Sequence, residues 1–96
     1  MLTSKERAKL RAIANGKETE VLIGANGITE NLLKQIEMNL DAHELVKIGV
    51  LANCELDCKK VINELAQVLN AEPVICVGKK MVLYRYSRKV KKHIEF

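Results

Sequence analysis

A short loop bounded by two glycines is the part of the sequence best suited to phosphate binding. The loop spans residues 24–27, follows a short apolar run and precedes a helix that Thr29 can cap. Because glycine has no side chain, such a loop lets a nucleic-acid backbone approach closely, and free amides at the helix N-terminus can bind phosphate, as in KH modules. The simpler interpretation is a tight turn that needs both glycines, since glycine adopts left-handed conformations easily and Asn tolerates them. A P-loop is excluded because no Lys-Ser or Lys-Thr pair follows the second glycine. The loop candidates are Gly24, Ala25, Asn26 and Gly27.

Cationic side chains near the C-terminus form the second group of candidates. The lysines at 79 and 80 lie in a short connection between two apolar runs, which alone is typical of a solvated turn. The basic tail at residues 87–96 is typical of a mobile segment, so we expect it to add affinity without adding order. Together they predict a continuous cationic strip. Either Tyr84 or Arg85 could stack on an unpaired base, but adjacent strand residues point to opposite faces, so at most one is expected to do so. The cationic candidates are Lys79, Lys80, Arg85, Arg88, Lys89, Lys91 and Lys92.

The sequence predicts no catalytic group, metal ion or cofactor. His43 and His93 are not spaced as metal ligands or as members of a catalytic triad. Cys54 and Cys58 lie four residues apart, but no second pair and no nearby His completes a set of four ligands. We therefore expect Cys58 in the core, and we expect a protein that is not an enzyme and has no small-molecule substrate.

The composition predicts one soluble domain over residues 1–96. The chain has 48% hydrophobic and 29% charged residues, with one Pro and five Gly, which is typical of a packed globular protein. No apolar stretch approaches the roughly 18 to 20 residues that a membrane span needs, and the first residues do not resemble a signal peptide. An odd number of cysteines, three, agrees with a reducing compartment. The expected location is the cytoplasm, away from membranes.

Charge is segregated along the chain, whose net charge is +4. Residues 1–17 hold five Lys or Arg against one Glu, and residues 78–96 hold seven against one. Residues 18–77 hold four bases against ten acids. Two basic ends predict a surface that meets a polyanion such as RNA. The alternative is a protein-interaction or regulatory module, in which the acidic middle meets a partner and the basic ends only solvate the chain.

The expected elements alternate between helical and strand patterns. A capping box at Thr3 and Glu6 begins the first helix, and Gly16 ends it. The order is α-β-α-β-α-β-β, which predicts an α+β (two-layer α/β) fold with a mixed four-stranded sheet. In the strand at residues 45–51, apolar residues alternate with other residues. This pattern predicts a strand that is covered on one face and partly open to solvent on the other. The remaining expected bounds are a strand at 20–23, a helix from 29 to 40, a turn at 41–44, a helix from 56 to 70, and strands at 74–77 and 81–86.

Three segments in collinear order resemble the YhbY-type proteins, also called CRM domains. Residues 22–29 resemble the signature loop of that family, residues 43–48 its second strand with the approach to it, and residues 78–85 its closing hairpin. The resemblance covers roughly residues 2–87, which is nearly the whole chain. A departure is Ala25, where relatives often carry a basic or hydroxyl side chain, so backbone amides and Asn26 would have to make the loop contacts.

The resemblance implies an RNA-binding module similar in fold to the C-terminal domain of a bacterial translation initiation factor. Single-domain bacterial members of the family associate with precursors of the large ribosomal subunit, and plant relatives carry several copies in intron-splicing factors. The resemblance therefore implies a single CRM domain with a basic tail, which binds ribosomal RNA during ribosome assembly. With only three aromatic residues, recognition should favour RNA shape and backbone over the stacking of several bases.

Overall fold

Three helices and four strands follow one another in the expected order. The computed structural model describes residues 2–52, 57–91 and 93–94; Cys54 and Lys92 therefore lie outside the described residues. In this part of the chain, the helices are too short and too polar to cross a bilayer. The elements are α1 (Ser4–Asn15), β1 (Val21–Ile23), α2 (Glu30–His43), β2 (Leu45–Val50), α3 (Cys58–Leu69), β3 (Glu72–Val77) and β4 (Lys80–Tyr84).

Each helix begins at a polar cap that satisfies a free backbone amide. Thr3 and Glu6 form the expected capping box, with the Glu6 amide donating to the Thr3 hydroxyl at 3.1 Å. The Thr29 hydroxyl accepts from the Leu32 amide at 3.1 Å, and Asp57 caps α3 through the Lys59 amide. The local sequence therefore determines where the helices start.

The sheet has the strand order β1-β2-β4-β3. β1 and β2 are parallel, and β4 runs antiparallel to both β2 and β3. Consequently β1, β2 and β3 all finish at the same end of the sheet, which we call the carboxyl end. The β3–β4 hairpin lies at the carboxyl end, whereas β2 starts and β4 finishes at the opposite, amino end. The expected mixed four-stranded sheet is confirmed.

Helices cover both faces of this sheet. The larger core lies under α2 and α3, where Ile36 and Leu65 pack against strand residues such as Ile48. The smaller core lies on the other face, where Leu10 and Ala14 of α1 pack with buried residues of the strands. β2 is therefore covered on both faces, and the expectation that one of its faces is partly open was wrong.

Two residues that looked solvent-facing in β2 are covered by α1 and the chain that follows it. The ammonium of Lys47 donates to the carbonyls of Ala14 at 3.3 Å and Lys17 at 3.2 Å, near the α1 C-terminus, where the helix dipole favours a cation. At Gly49, an added Cβ would lie only 3.1 Å from Thr19 and 3.2 Å from Leu22. A half-buried charged residue and a buried glycine are thus accommodated because neighbouring backbone and side chains fit them.

Helix α2 continues beyond the turn expected at residues 41–44. It runs to His43, and Glu44 ends it in the left-handed conformation with φ of 65°. That conformation costs a residue with a side chain about 1–2 kcal/mol. Residues 41–43 contain no helix breaker, and the tail stabilises the end of the helix through Glu44, so the predicted turn was wrong.

The buried Glu44 carboxylate anchors the tail. It accepts from the Ser87 amide at 2.8 Å, the His93 ring at 2.8 Å and the Ile94 amide at 3.0 Å. The Ser87 hydroxyl also donates to the Asp41 carbonyl at 2.6 Å. The described part of the tail is therefore held against the domain, and the expectation that it adds no order was wrong. The reason is that a carboxylate buried to 1% exposure requires donors, and the tail supplies them.

Both edges of the sheet are interrupted. β1 has three residues, and β3 carries Pro73 together with a register shift between Pro73 and Ile75. Proline lacks an amide donor and is tolerated in edge strands. The expected strand at 74–77 therefore starts two residues earlier than expected, at Glu72.

Leu65→Ala should lower the free energy of unfolding by about 2–5 kcal/mol. Leu65 is 1% exposed in the larger core, so the change leaves a cavity and removes apolar burial. The matched control is Val68→Ala on the outer side of the same helix, where Val68 is 67% exposed and a change within about 0.5 kcal/mol is expected. Urea melts compare the two, and equal losses would contradict the core assignment.

Glu44→Gln should destabilise the domain by about 1–3 kcal/mol at neutral pH, because the amide cannot accept all three hydrogen bonds. Burial acts to raise the pKa of Glu44, but hydrogen bonds from Ser87, His93 and Ile94 outweigh it and hold that pKa below its ordinary value. The ionised group therefore stabilises the fold fully above about pH 4.3, and this contribution is lost as the pH falls through the lower folded-state pKa.

Urea melts at decreasing pH should show the gap between parent and Glu44→Gln narrowing in acid. The control is Glu18→Gln, which changes an exposed carboxylate and should show little gap at any pH. A gap for Glu44→Gln that stays constant into acid would contradict the role assigned to the carboxylate.

Candidate nucleic-acid interface

The glycine-bounded loop closes a tight turn at the carboxyl end of the sheet. The Gly27 amide donates to the Gly24 carbonyl at 3.0 Å, and Gly27 has φ of 67°. Ala25 and Asn26 are exposed at the tip of the turn. An added side chain at Gly27 would be strained by its backbone conformation, so this glycine is required by the turn.

Gly24 has a different role from the one expected of a turn glycine. Its φ is not positive, and an added Cβ would lie 3.7 Å from Leu51 Cδ1, which is ordinary contact. The fold itself therefore does not require a glycine there, and the expectation that the turn needs both glycines was wrong. The absent side chain leaves the backbone of residue 24 open to close approach.

The first amides of α2 lie directly after this loop. Thr29 caps the Leu32 amide through its hydroxyl and the Leu33 amide through its carbonyl. The amides of Glu30 and Asn31 belong to the first turn, which has no intrahelical acceptor for them. Free amides and the positive end of the helix dipole together favour an anion at this position.

The β3–β4 hairpin stands beside the loop. The Leu51 amide donates to the Ile23 carbonyl at 2.9 Å, and the Val50 amide donates to the Lys79 carbonyl at 2.7 Å. The ends of β1, β2 and β4 are thus neighbours, and with adjacent strands about 4.8 Å apart the loop and the hairpin backbones are roughly 10 Å apart. Lys79 and Lys80 are exposed. Two of the expected cations therefore lie beside the loop.

A basic residue of α1 adjoins the hairpin, and sequence reasoning did not include it. Arg11 and Lys80 line the same cleft of about 240 Å³ between α1 and the sheet. The sequence signal was the basic outer side of the first helix, but only the packing of α1 on the sheet places Arg11 next to Lys80. The cationic surface at the carboxyl end thus extends onto α1.

The other expected cations lie at the amino end of the sheet. Arg85 follows β4 there, and its amide donates to the Glu44 carbonyl at 2.9 Å. β2 covers six residues, so its two ends are about 17 Å apart. The continuous cationic strip expected from the sequence is therefore wrong, because the cations are divided between the two ends. Arg88, Lys89 and Lys91 are exposed at the amino end, and Lys92 lies outside the described residues.

Arg85 is held within the fold. Its guanidinium donates to the Leu69 carbonyl at 2.8 Å and to the Asp41 carboxylate at 2.8 Å, and it lies 3.5 Å from Glu37. Lys89 also pairs with Asp41 at 3.1 Å, although 76% of its side chain is exposed. The hydrogen bond from Lys89 and the charges of Lys89 and Arg85 outweigh burial and lower the pKa of Asp41. Arg85 thus joins α2, α3 and β4.

The two residues considered for base stacking are both engaged elsewhere. Tyr84 is 8% exposed in the core under α1, and burial raises the pKa of its hydroxyl. Arg85 is bound to Asp41 and Leu69 as described. The neighbouring aromatic side chain, Tyr86, stacks on His93 with ring centroids 4.3 Å apart. The stacking contact considered for Tyr84 or Arg85 is therefore wrong in this fold.

No set of three potential metal ligands converges within residues 2–52, 57–91 and 93–94. Cys58 is 6% exposed in the larger core, as expected for a structural cysteine. His93 is bound to Glu44.

The fold and the site together define a class of small α+β domain. In this class a mixed four-stranded sheet with three helices presents a glycine-bounded loop and a basic hairpin at one end. The chain belongs to the CRS1/YhbY (CRM) domain family, whose model matches residues 2–85. The resemblance drawn from three sequence segments is therefore confirmed.

Similar proteins cover nearly the whole chain. It is 36% identical over 91 residues to the Probable RNA-binding protein YqeI of Bacillus subtilis, and the match covers 95% of each chain. It is 35% identical over 91 residues to a Haemophilus influenzae protein named RNA-binding protein, covering 94% of this chain and 91% of that protein. The solution structure of the hypothetical protein SAV1595 from Staphylococcus aureus matches with a TM-score of 0.82 at 38% identity, covering 99% of this chain and 98% of that one.

Arg85→Ala should lower the free energy of unfolding by about 1–3 kcal/mol, because it leaves the Leu69 carbonyl without its side-chain donor and removes one of the two cations that bind the Asp41 carboxylate. Lys79→Ala is the matched control, since it removes one exposed cation at the other end of the sheet and should change stability by less than about 0.5 kcal/mol. Thermal or urea melts measure both. Equal stability of the two variants would contradict the structural role of Arg85.

Proposed function

We propose that this chain is a non-catalytic RNA-binding protein that holds the RNA backbone at the carboxyl end of its sheet. The observation that carries the proposal is the juxtaposition of the exposed loop at residues 24–27, the free amides of α2 and the exposed Lys79 and Lys80. The names of the relatives, as RNA-binding proteins, agree with it.

Each part of this surface has a separate task. Gly24, Ala25, Asn26 and Gly27 admit a phosphate to the backbone amides, and Lys79 and Lys80 attract the neighbouring phosphates. Arg11 extends the positive electrostatic potential of Lys79 and Lys80 along α1. Neutralising about four phosphates of single-stranded RNA predicts a slope of roughly −3 for log affinity against log salt concentration.

The cations at the amino end form a second, auxiliary surface in this proposal. Arg88, Lys89 and Lys91 raise the general attraction for a polyanion without reading its shape, and we expect Lys92, which lies outside the described residues, to add its charge to theirs. Arg85 acts indirectly, because it partly neutralises Glu37 and Asp41, which would otherwise repel phosphate near the tail.

We further propose that the RNA is ribosomal RNA in precursors of the large ribosomal subunit, and that the protein acts in the cytoplasm. The support for this is the resemblance to single-domain bacterial CRM proteins, which associate with such particles. Ribosomal RNA contains much base-paired structure. Such RNA suits a surface that relies on phosphate contacts more than on aromatic stacking.

The acidic middle is less suited to the alternative, a protein-interaction surface. At least three of its ten carboxylates are engaged within the fold: Glu20 pairs with Lys17 at 3.0 Å, Asp41 pairs with Arg85, and Glu44 binds the tail. These carboxylates already pair with cations or accept hydrogen bonds inside the domain. Less unpaired negative charge therefore remains for a protein partner.

The double variant Ala25→Asp with Asn26→Asp should weaken RNA binding more than tenfold while the domain stays folded. Two carboxylates would stand where phosphate must approach, and like charges repel strongly once partly desolvated. Both positions are exposed and neither has a positive φ, so the turn should persist. Acids are also favourable near a helix N-terminus.

The matched control is Asn63→Glu with Gln67→Glu on the exposed side of α3, which changes the net charge equally. Titrations with single-stranded RNA at two salt concentrations, together with thermal melts, compare the variants. In cell extract, the parent and the control should co-sediment with large-subunit precursors and the loop variant should not. Unchanged affinity in a folded loop variant would leave the loop a simple turn.

A further inference from the structure

A cleft of about 260 Å³ adjoins the glycine-bounded loop and extends along α2 to Gln35, beyond the amides assigned to phosphate binding. The loop forms one wall, the edge strand β1 contributes Leu22, and the first two turns of α2 contribute Asn31 and Gln35. The cleft is open to solvent, so a group attached to a backbone lying on the loop can enter it.

The lining of the cleft is neutral and part apolar. Leu22 is 56% exposed, although its strand neighbours Val21 and Ile23 are buried, so it presents an apolar surface at the sheet edge. Lysine, arginine, aspartate and glutamate are absent from the described residues that line the cleft. The cleft therefore offers no cationic side chain to a phosphate group. It can accommodate a flat, neutral group that has a polar edge.

Two side-chain amides point to hydrogen-bonding recognition. Asn31 and Gln35 lie four residues apart on α2 and so share one face of the helix. Both are exposed, and within residues 2–52, 57–91 and 93–94 neither side-chain amide has a hydrogen-bond partner. Each offers one acceptor and two donors, which is the pattern that pairs with the donor and acceptor on the edge of an adenine.

We propose that this cleft binds one unpaired nucleobase, with adenine preferred, while the adjoining loop binds a phosphate of the same strand. The proposal rests on the proposed RNA-binding function and adds to it a contact that depends on the base. Leu22 lies beside the base at the sheet edge, and Asn31 and Gln35 bind the edge of the base. Sequence preference would then come from side-chain amides, without an aromatic ring.

The test separates base contacts from phosphate contacts by using two ligands of equal length and charge. One is a single-stranded oligoadenylate, and the other is an oligoribose phosphate without bases. The parent should bind the oligoadenylate at least about fivefold more tightly, which is the lower end of the discrimination that a good amide–base pair provides. Equal binding of both ligands by the parent would overturn the proposal.

The variant Gln35→Ala should lose most of the preference for the oligoadenylate and keep the parent's affinity for the abasic ligand, because Gln35 has no part in the proposed phosphate contacts. Alanine is a better helix former than glutamine, so the helix should persist, as melts would verify. The matched control is Gln67→Ala, the same residue type on the exposed side of α3. The control should retain the preference, and loss of it in the control, or its retention in the α2 variant, would overturn the proposal.

The two hypotheses fail in different ways. If the parent binds neither ligand with salt-dependent affinity, the RNA-binding function fails as a whole. If it binds both equally, with the expected salt dependence, RNA binding stands and only the base-binding cleft is refuted.

Discussion

The position of β4 between β2 and β3 determines where the candidate functional residues lie. β4 hydrogen-bonds to both neighbours in antiparallel register, so its first residue, Lys80, lies opposite Gly49 and its last, Tyr84, lies opposite Leu45. This pairing brings the basic hairpin to the end of the sheet where the glycine-bounded loop leaves β1. The same pairing sends Arg85 and the tail to the other end. Cations that are close in sequence are thereby assigned to two surfaces of different character.

Glu44 is the second constraint, because it joins three parts of the chain at the amino end. The residue ends α2 in a left-handed conformation, precedes β2, and accepts hydrogen bonds from the tail. The backbone strain and the burial of a charge are offset by donors that come from more than forty residues away along the chain. The described part of the C-terminal segment is consequently a component of the domain, and its exposed basic side chains are displayed from an anchored backbone.

Local features were predictable from the sequence, whereas long-range pairing of polar residues was not. The capping box at Thr3, the cap at Thr29 and the apolar side of α3 depend on neighbours within one or two turns, so their residue types suffice to predict them. Arg85 was expected to contact RNA, and Lys47 to lie on a partly open face of its strand, because a sequence shows a charge without showing its partner. Their partners, Asp41 and the carbonyls near the end of α1, become neighbours only after the sheet forms. For the same reason the loop was evident from its glycines, but the cleft formed by Leu22, Asn31 and Gln35 was not.

The interrupted edges of the sheet have a consequence for the behaviour of many copies of the domain. An exposed strand edge is a template on which another chain can add a strand, and proteins avoid this with short strands, prolines and bulges. Here β1 offers only three residues, and β3 is broken by Pro73 and by the register shift that follows it. Neither edge therefore provides a long, regular row of donors and acceptors. Identical domains can be concentrated side by side, on one particle or in one chain, without their sheets merging into an aggregate.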